Sequence, residues 1–249
     1  MNEPKVSVVI PAYNCASTIS LAIDSVLRQN VDLELIVVND CSSDDLDSVM
    51  ARYAGNPAVV YLKNEHNLGA SGSRNRAVAQ ARGEYIAFLD SDDYWTEDKL
   101  SRQLEILEKT KGVLCCTARE LMTPEGALTG RIIPVKQEIS YREILKHNSI
   151  NCSSVLIRAD VAKAFPMNHD DAHEDYLMWI AVLKQYGTAY GINEPMLKYR
   201  LSNTGKSGSK LQSAAMTFRV YRYAGFGLAK SILLFCRYAF HGVKKYMFS

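Results

Sequence analysis

Six cysteines are present in 249 residues, yet none form a C-x-x-C pair. A chain this long folds without covalent staples, so a disulfide-dense secreted module is excluded and reduced thiols are expected. No basic n-region, long apolar stretch or small-residue cleavage site follows Met1, and secretion is not expected either. Internal repeats and low-complexity segments are missing. Acidic residues stop at Glu194: ten Lys and Arg follow it, with no Asp or Glu. The whole chain has 29 basic and 27 acidic residues, so residues 1–194 carry a formal charge of −8. An acidic body with a basic tail predicts either an anionic partner for the tail, phosphates or a lipid surface, or a tail packed on the body itself. The remaining composition, 47% hydrophobic and 22% charged, is that of a globular protein of one large domain or two small ones.

Strand and helix signals alternate along the first half. Residues 5–10 (KVSVVI), 33–38 (LELIVV), 59–62 and 85–89 (YIAFL) are short apolar, β-branched runs that predict buried strands. Residues 17–29 carry apolar side chains at helical spacing, a second helix runs to about residue 53, and 69–81 predicts a loop leading into a third. This alternation is the signature of βαβ units and a parallel sheet covered on both faces. Beyond residue 110 the pattern predicts a strand at 113–117, a hairpin over 120–135, a short helix at 140–147, a strand at 153–158 and a helix from 175 to 186 ended by Gly187. Together these read as a mixed extension of the same sheet. Only residues 202–209 (SNTGKSGS) are loop-like enough to mark a boundary.

In a parallel α/β sheet, ligands bind beyond the carboxyl ends of the strands, where this chain puts its unusual polar residues. The first strand ends at Pro11-Ala12-Tyr13-Asn14, the second at Asn39-Asp40-Cys41-Ser42-Ser43-Asp44, and YIAFL at Asp90-Ser91-Asp92-Asp93. Three carboxylates in four residues repel one another unless a cation sits among them, and hard oxygens suit Mg2+ or Mn2+. The alternative is that Asp90 or Asp92 caps a helix after Trp95. His169, Asp170, Asp171, His173 and Glu174 form a second cluster, but their spacing is not a zinc-ligand pattern.

Taken in order, PAYN, VNDCSSD, Asn67-Leu68-Gly69-Ala70-Ser71-Gly72-Ser73-Arg74-Asn75 and LDSDD resemble the family 2 glycosyltransferases of the GT-A fold. The likeness is close over residues 4–110 and continues through His173-Glu174-Asp175 and Tyr199-Arg200. It implies a Rossmann-like, mostly parallel central sheet with helices on both faces and a C-terminal helical extension. The expected division is a glycosyltransferase domain at 4–205, with a nucleotide-sugar half at 4–110 and an acceptor half at 111–205, followed by a basic amphipathic extension at 206–249. On the donor side the resemblance implies Pro11, Ala12, Tyr13 and Asn14, with the Tyr13 ring on the nucleobase and Asp40 accepting from a ring N–H such as uracil offers. Gly69, Arg74, Asp90, Ser91 and Arg200 complete that side. Gly69 would let backbone approach the ligand, and Arg74 would face ribose or phosphate or pair with the acidic loops. Ser42 and Asp44 would hold Asp40 in its turn. Asp92 and Asp90 would take Mn2+ or Mg2+, with Asp92 the more direct ligand. Asp175 would be the base for an inverting displacement, and Glu174 lies beside it on the acceptor side. Arg200, Lys206 and Ser207 resemble a basic loop that closes over the diphosphate.

The implied activity is transfer of a sugar from a nucleoside-diphosphate sugar, UDP-linked by the Asp40 argument, to a saccharide acceptor. A nonenzymatic nucleotide-sugar-binding scaffold or sensor of the same fold is the alternative. A signalling receiver domain is a second alternative, although its acidic pair would have to follow the first strand, where PAYN stands, in about half this length. In residues 218–248, Arg219, Lys230, Arg237 and Lys244 fall along one helical line, with Tyr221, Leu228, Ile232, Phe235, Ala239, Val243 and Tyr246 opposite. Between Arg222 and Lys230 only seven uncharged residues run, against ~20 for a bilayer span. An interfacial helix on an anionic membrane, or a helix covering the domain's own core, is therefore expected. A membrane-seeking tail suits a lipid-linked saccharide acceptor in bacterial surface polysaccharide (O-antigen, capsule or exopolysaccharide) synthesis. A cytoplasmic protein at the inner face of the membrane, with no nucleic-acid partner, completes the expectation.

Overall fold

Val6, Val8, Val9 and Ile10 are all apolar because the strand they form is covered on both sides. A computed structural model describes residues 3–201 and 210–247. The chain begins β1 (Val6–Ala12), α1 (Ile19–Leu27), β2 (Leu33–Asn39), α2 (Leu46–Ala51), β3 (Val59–Lys63), α3 (Gly69–Gln80) and β4 (Tyr85–Phe88). It continues with β5 (Tyr94–Trp95), α4 (Lys99–Thr110), β6 (Leu114–Met122), β7 (Leu128–Ile133), β8 (Glu138–Ser140) and α5 (Tyr141–Ile144). The last elements are β9 (Leu156–Arg158), α6 (Ala159–Ala164), α7 (Glu174–Tyr186), β10 (Thr188–Arg200), α8 (Lys210–Tyr223) and α9 (Leu228–Met247).

The ten strands of the described residues join one sheet in the order β3-β2-β1-β4-β9-β6-β10-β5, with β7 beside β6 and β8 beside β10. The four strands from β3 to β4 are parallel. Next, β9 runs antiparallel to both β4 and β6, which restores the original direction for β6 and for its parallel neighbour β10. The carboxyl ends of β1, β2, β4, β6 and β10 therefore share one edge. Val6, Val8 and Ile10 pack with α1 and α4 on one face, while Val9 packs with α3, α6 and α7 on the other. Alternation buries both sides of β1, β2 and β4, as their continuous apolar runs required, whereas β3, expected to be buried, stands at the end of the sheet and is only partly covered.

Several local outcomes differ from the expectation. Pro11 does not end β1, because it lies beyond the last β1–β4 pair, Val9–Phe88, where its missing N–H removes no ladder bond. The helix expected after Trp95 starts only at Lys99, with Asp98 at its N-cap position, so neither Asp90 nor Asp92 caps it. The strand β10 had no clear signal, since Asn193-Glu194-Pro195 reads as a turn. Its ladder with β6 does shift register between Ile192 and Leu197. Gly191 within it is required by close approach: a Cβ there would lie 2.1 Å from the Lys136 carbonyl.

The single helical line expected through the tail is broken. Gly225 adopts φ +85 between α8 and α9, so Arg219 and Lys230 sit on different helices. Of these helices, α8 covers the domain's own core. Tyr221 is fully buried, its hydroxyl donating to the Leu145 carbonyl at 3.0 Å and lying 3.1 Å from the Tyr176 hydroxyl. Arg219 donates to the Asp171 carbonyl at 2.7 Å. In α9, Leu234 is buried, and Phe235 and Tyr238 pack inward against Phe218, His147 and Tyr176. Leu228, Ile232 and Leu233 remain exposed on the outer side with Lys230 and Arg237. Expected partners Tyr221 and Phe235 thus point to the core, and Leu228 and Ile232 away from it. Among the described residues, no helix is long and apolar enough to cross a membrane. Lys206 and Ser207 lie outside the described residues.

Candidate active site

The turns after β1, β2 and β4 meet the N-terminus of α3 around a cleft of about 380 Å3. Pro11, Ala12, Tyr13, Asp40, Asn67, Gly69, Ala70, Arg74, Asp90, Ser91 and Asp92 line it. The Tyr13 ring stands at the mouth, 54% exposed, an aromatic face available for stacking. Asp40 is buried at the floor. Its Oδ1 accepts from Asn64 Nδ2 at 2.6 Å and from the Leu68 amide at 2.7 Å, while Oδ2 has no bond among the described residues. Asp40 is thus held by the segment before α3 rather than by Ser42 and Asp44. Those two instead fasten the first loop: Ser42 Oγ accepts from the Asn14 amide at 3.0 Å, and Asp44 Oδ2 from the Ala16 amide at 2.7 Å. Asn14 does not line the cleft; its Oδ1 accepts from the Ser43 amide at 2.8 Å and ties the two loops together.

Gly69 adopts φ +73, and a Cβ there would lie 2.9 Å from Asp170 Oδ2. Any side chain at Gly69 would therefore meet both backbone strain and a carboxylate. Asp170 also accepts from Ser71 Oγ at 2.5 Å, Asp171 accepts from the Tyr223 hydroxyl, and the His169 ring stacks on Tyr223 with centroids 3.8 Å apart. The second acidic and histidine cluster is thereby distributed among structural contacts.

Arg74 is the pivot of the site. Buried in α3, it donates through Nη2 to Asp90 Oδ1 at 2.5 Å and through Nη1 to Glu174 Oε1 at 3.2 Å. The flanking carboxylates raise its already high proton affinity further, against the opposing effect of burial. One guanidinium thus joins the β4 loop to the start of α7, where Asp175 follows Glu174. Asp175 lies in the first turn of α7, not at its cap, and its Oδ1 accepts from the Tyr176 amide at 2.7 Å. Burial first, then Glu174, pushes its carboxyl up to about 6, against the lowering effect of His173 and Arg74.

The acidic loop is electrostatically strained. Burial and the adjacent Asp90 raise the pKa of Asp92. The fully buried Asp93 is raised further, by burial and then by Asp90 and Asp92. Arg200 flanks this loop rather than the cleft: its amide donates to Asp93 Oδ1 at 2.8 Å, Nε to the Asp92 carbonyl at 2.9 Å, and Nη1 to the Pro124 carbonyl at 2.9 Å. Among the described residues, no three His, Cys, Asp or Glu side chains form a self-sufficient metal cage. The donor set still fits a hard divalent cation, since such ions take one or two carboxylates and complete their shell with substrate phosphate and water. Sequence reasoning missed Asn64, which steadies Asp40, and Ser153, whose Oγ accepts from the Asp90 amide at 3.1 Å. Neither carries a local signal, because its partner is distant in sequence.

The family model for glycosyl transferase family 2 matches residues 7–163. The chain belongs to this family. Among relatives of this glycosyltransferase is TuaG of Bacillus subtilis, whose name assigns it to teichuronic acid biosynthesis, 36% identical over 98% of both chains. Another is WfaP of Escherichia coli, a UDP-Glc:alpha-D-GlcNAc-diphosphoundecaprenol beta-1,3-glucosyltransferase, 32% identical over 98% of this chain and 96% of its own. Solved structures share the GT-A fold. Staphylococcus aureus TarS 1–349 with UDP-GlcNAc superposes with a TM-score of 0.73 at 19% identity, covering 93% of this chain and 70% of TarS. The Pyrobaculum calidifontis mannosyltransferase PcManGT with GDP-Man and Mn2+ gives 0.70 at 17% identity, covering 90% of this chain and 64% of its own.

Proposed function

We propose that this glycosyltransferase moves a sugar from a UDP-sugar to a hydroxyl of a lipid-linked saccharide in surface polysaccharide assembly, with inversion and with the help of Mn2+ or Mg2+. The observation that carries this reading is the Arg74 bridge, which gives the Asp90 loop and the Asp175 turn a common rim. Tyr13 stacks on the base, and the unused Oδ2 of Asp40 accepts the ring N–H of a uracil. Ala12, Gly69 and Ser91 offer backbone and small side chains to the ribose and phosphates, and Asn14 keeps the first loop in place. Asp92 and Asp90 would hold the cation, which supplies neutralisation of the charge developing on the departing diphosphate. Asp175 removes the proton of the acceptor hydroxyl as its oxygen attacks the anomeric carbon from the face opposite the diphosphate. No protein nucleophile is required. Glu174, fixed by Arg74, borders the acceptor. The relatives' names support the UDP donor and the lipid-linked acceptor, and PcManGT supports a divalent cation.

The exposed side of α9 supports membrane association: Leu228, Ile232 and Leu233 offer an apolar strip beside Lys230 and Arg237, the arrangement of a helix lying at an anionic lipid surface. Calorimetric titration of UDP with and without Mn2+ tests the donor site. Wild-type protein is expected to bind UDP more tightly with Mn2+; Asp92→Ala loses that gain, whereas Asp175→Ala retains it while abolishing transfer. Normal turnover by both variants would reject the assignment.

A further inference from the structure

Arg119 lies in β6 opposite Leu197 of β10 and Ile133 of β7, toward the strand end that faces the site. Its guanidinium carbon is 5.5 Å from the centre of the Tyr199 ring. Its Nε is buried and has no hydrogen-bond partner, and its guanidinium makes no ion pair with the described residues. Both Asp93 and Asp175 lie within electrostatic reach of it without touching it. The neighbouring arginines are committed: Arg74 to Asp90 and Glu174, and Arg200 to two backbone carbonyls and the acidic loop. Buried polar atoms in native proteins are almost always paired.

A diphosphate brought to this cleft meets the carboxylates of Asp40, Asp90 and Asp92 in its lining, with Asp93, Glu174 and Asp175 close behind them. Arg74 is already neutralised by two of them. Among the described arginines next to the site, Arg119 alone has an uncommitted fork, and a guanidinium fork matches two phosphate oxygens at once. We propose that Arg119 is a diphosphate-binding residue, its free edge receiving phosphate oxygens of either the nucleotide donor or a diphosphate-linked acceptor. The proposal rests on the reading of the site given above.

The test uses the full chain as wild type, Arg119→Met and Arg119→Lys. One arm titrates UDP with Mn2+; the other titrates geranyl diphosphate into protein saturated with UDP and Mn2+. Loss of two charge-assisted bonds predicts about tenfold or weaker binding for Arg119→Met in one arm, with partial recovery in Arg119→Lys. Loss in the UDP arm assigns the residue to the donor, and loss in the geranyl diphosphate arm assigns it to the acceptor. Unchanged affinity in both arms, for either variant, overturns the proposal. Should Arg119→Met fail to fold, Arg119→Lys still reports on the fork by a smaller loss in the same arm, because it keeps the charge and removes the bidentate geometry. Wild-type protein that takes up no UDP at all would instead strike the donor reading, and the inference with it.

Discussion

At the scale of single residues, Asp175 carries two opposing influences. The amide ends at the start of α7 favour a carboxylate, yet loss of water and the adjacent Glu174 outweigh them and raise its pKa to about 6. At neutral pH the group is ionised but a stronger base than an exposed aspartate. As the proposed base, Asp175 works only when ionised, so kcat/KM is expected to fall as pH drops through about 6, with unit slope in a pH–rate profile. Asp175→Asn should lower kcat by roughly 10²–10⁴ while leaving Tm at pH 7 undiminished, because it removes a poorly hydrated charge. A flat profile between pH 5 and 7 would argue for another base. The motif turns after β1, β2 and β4 were legible in the sequence, and they supply most of the cleft lining. Their supports were hidden. Ser153 and Asp90 are 63 positions apart, and Ser71 and Asp170 are 99, so only the folded sheet brings them together.

At the scale of elements, the helical period of the tail was legible, but its division was not. Periodicity reports which residues share a face of an unbroken helix; it is blind to the one positive φ at Gly225 that starts a new one. The result is a division of labour, with α8 sealing the core and α9 covering it on one side only. Replacing Ile232 and Leu233 together with Glu should preserve the helix, since both side chains are about half exposed, and reduce co-sedimentation with anionic vesicles severalfold. Equal sedimentation of the double variant would remove α9 as the contact. The strand β10 escaped notice for a related reason. Its irregular middle resembles a turn in sequence and becomes a strand only because β6 and β8 offer it ladder partners.

At the scale of the whole molecule, stability holds a pH signature of its own. Lys99 is fully buried, its Nζ donating to Gln103 Oε1 at 2.7 Å and lying 3.9 Å from the centre of the Trp95 ring, and burial lowers its pKa to about 7. The unfolded chain keeps this proton up to about 10.5, so between pH 7 and 10 it binds a proton that the native state does not. Unfolding free energy therefore gains from this residue as pH rises through that window. Lys99→Met should flatten the slope of stability against pH there, as followed by denaturant melts; an unchanged slope would show that Lys99 keeps its proton in the fold.

The short strand β9 has a further consequence. Coming late in the chain, it lies between β4, which leads into the Asp90 loop, and β6, on which Arg119 stands. A break anywhere between β4 and β9 would leave β4 with an open edge ready to pair with a foreign strand. An exchange of segments with a crossover between β4 and β9 therefore has to preserve this pairing, whereas changes confined to the loops leave the sheet intact.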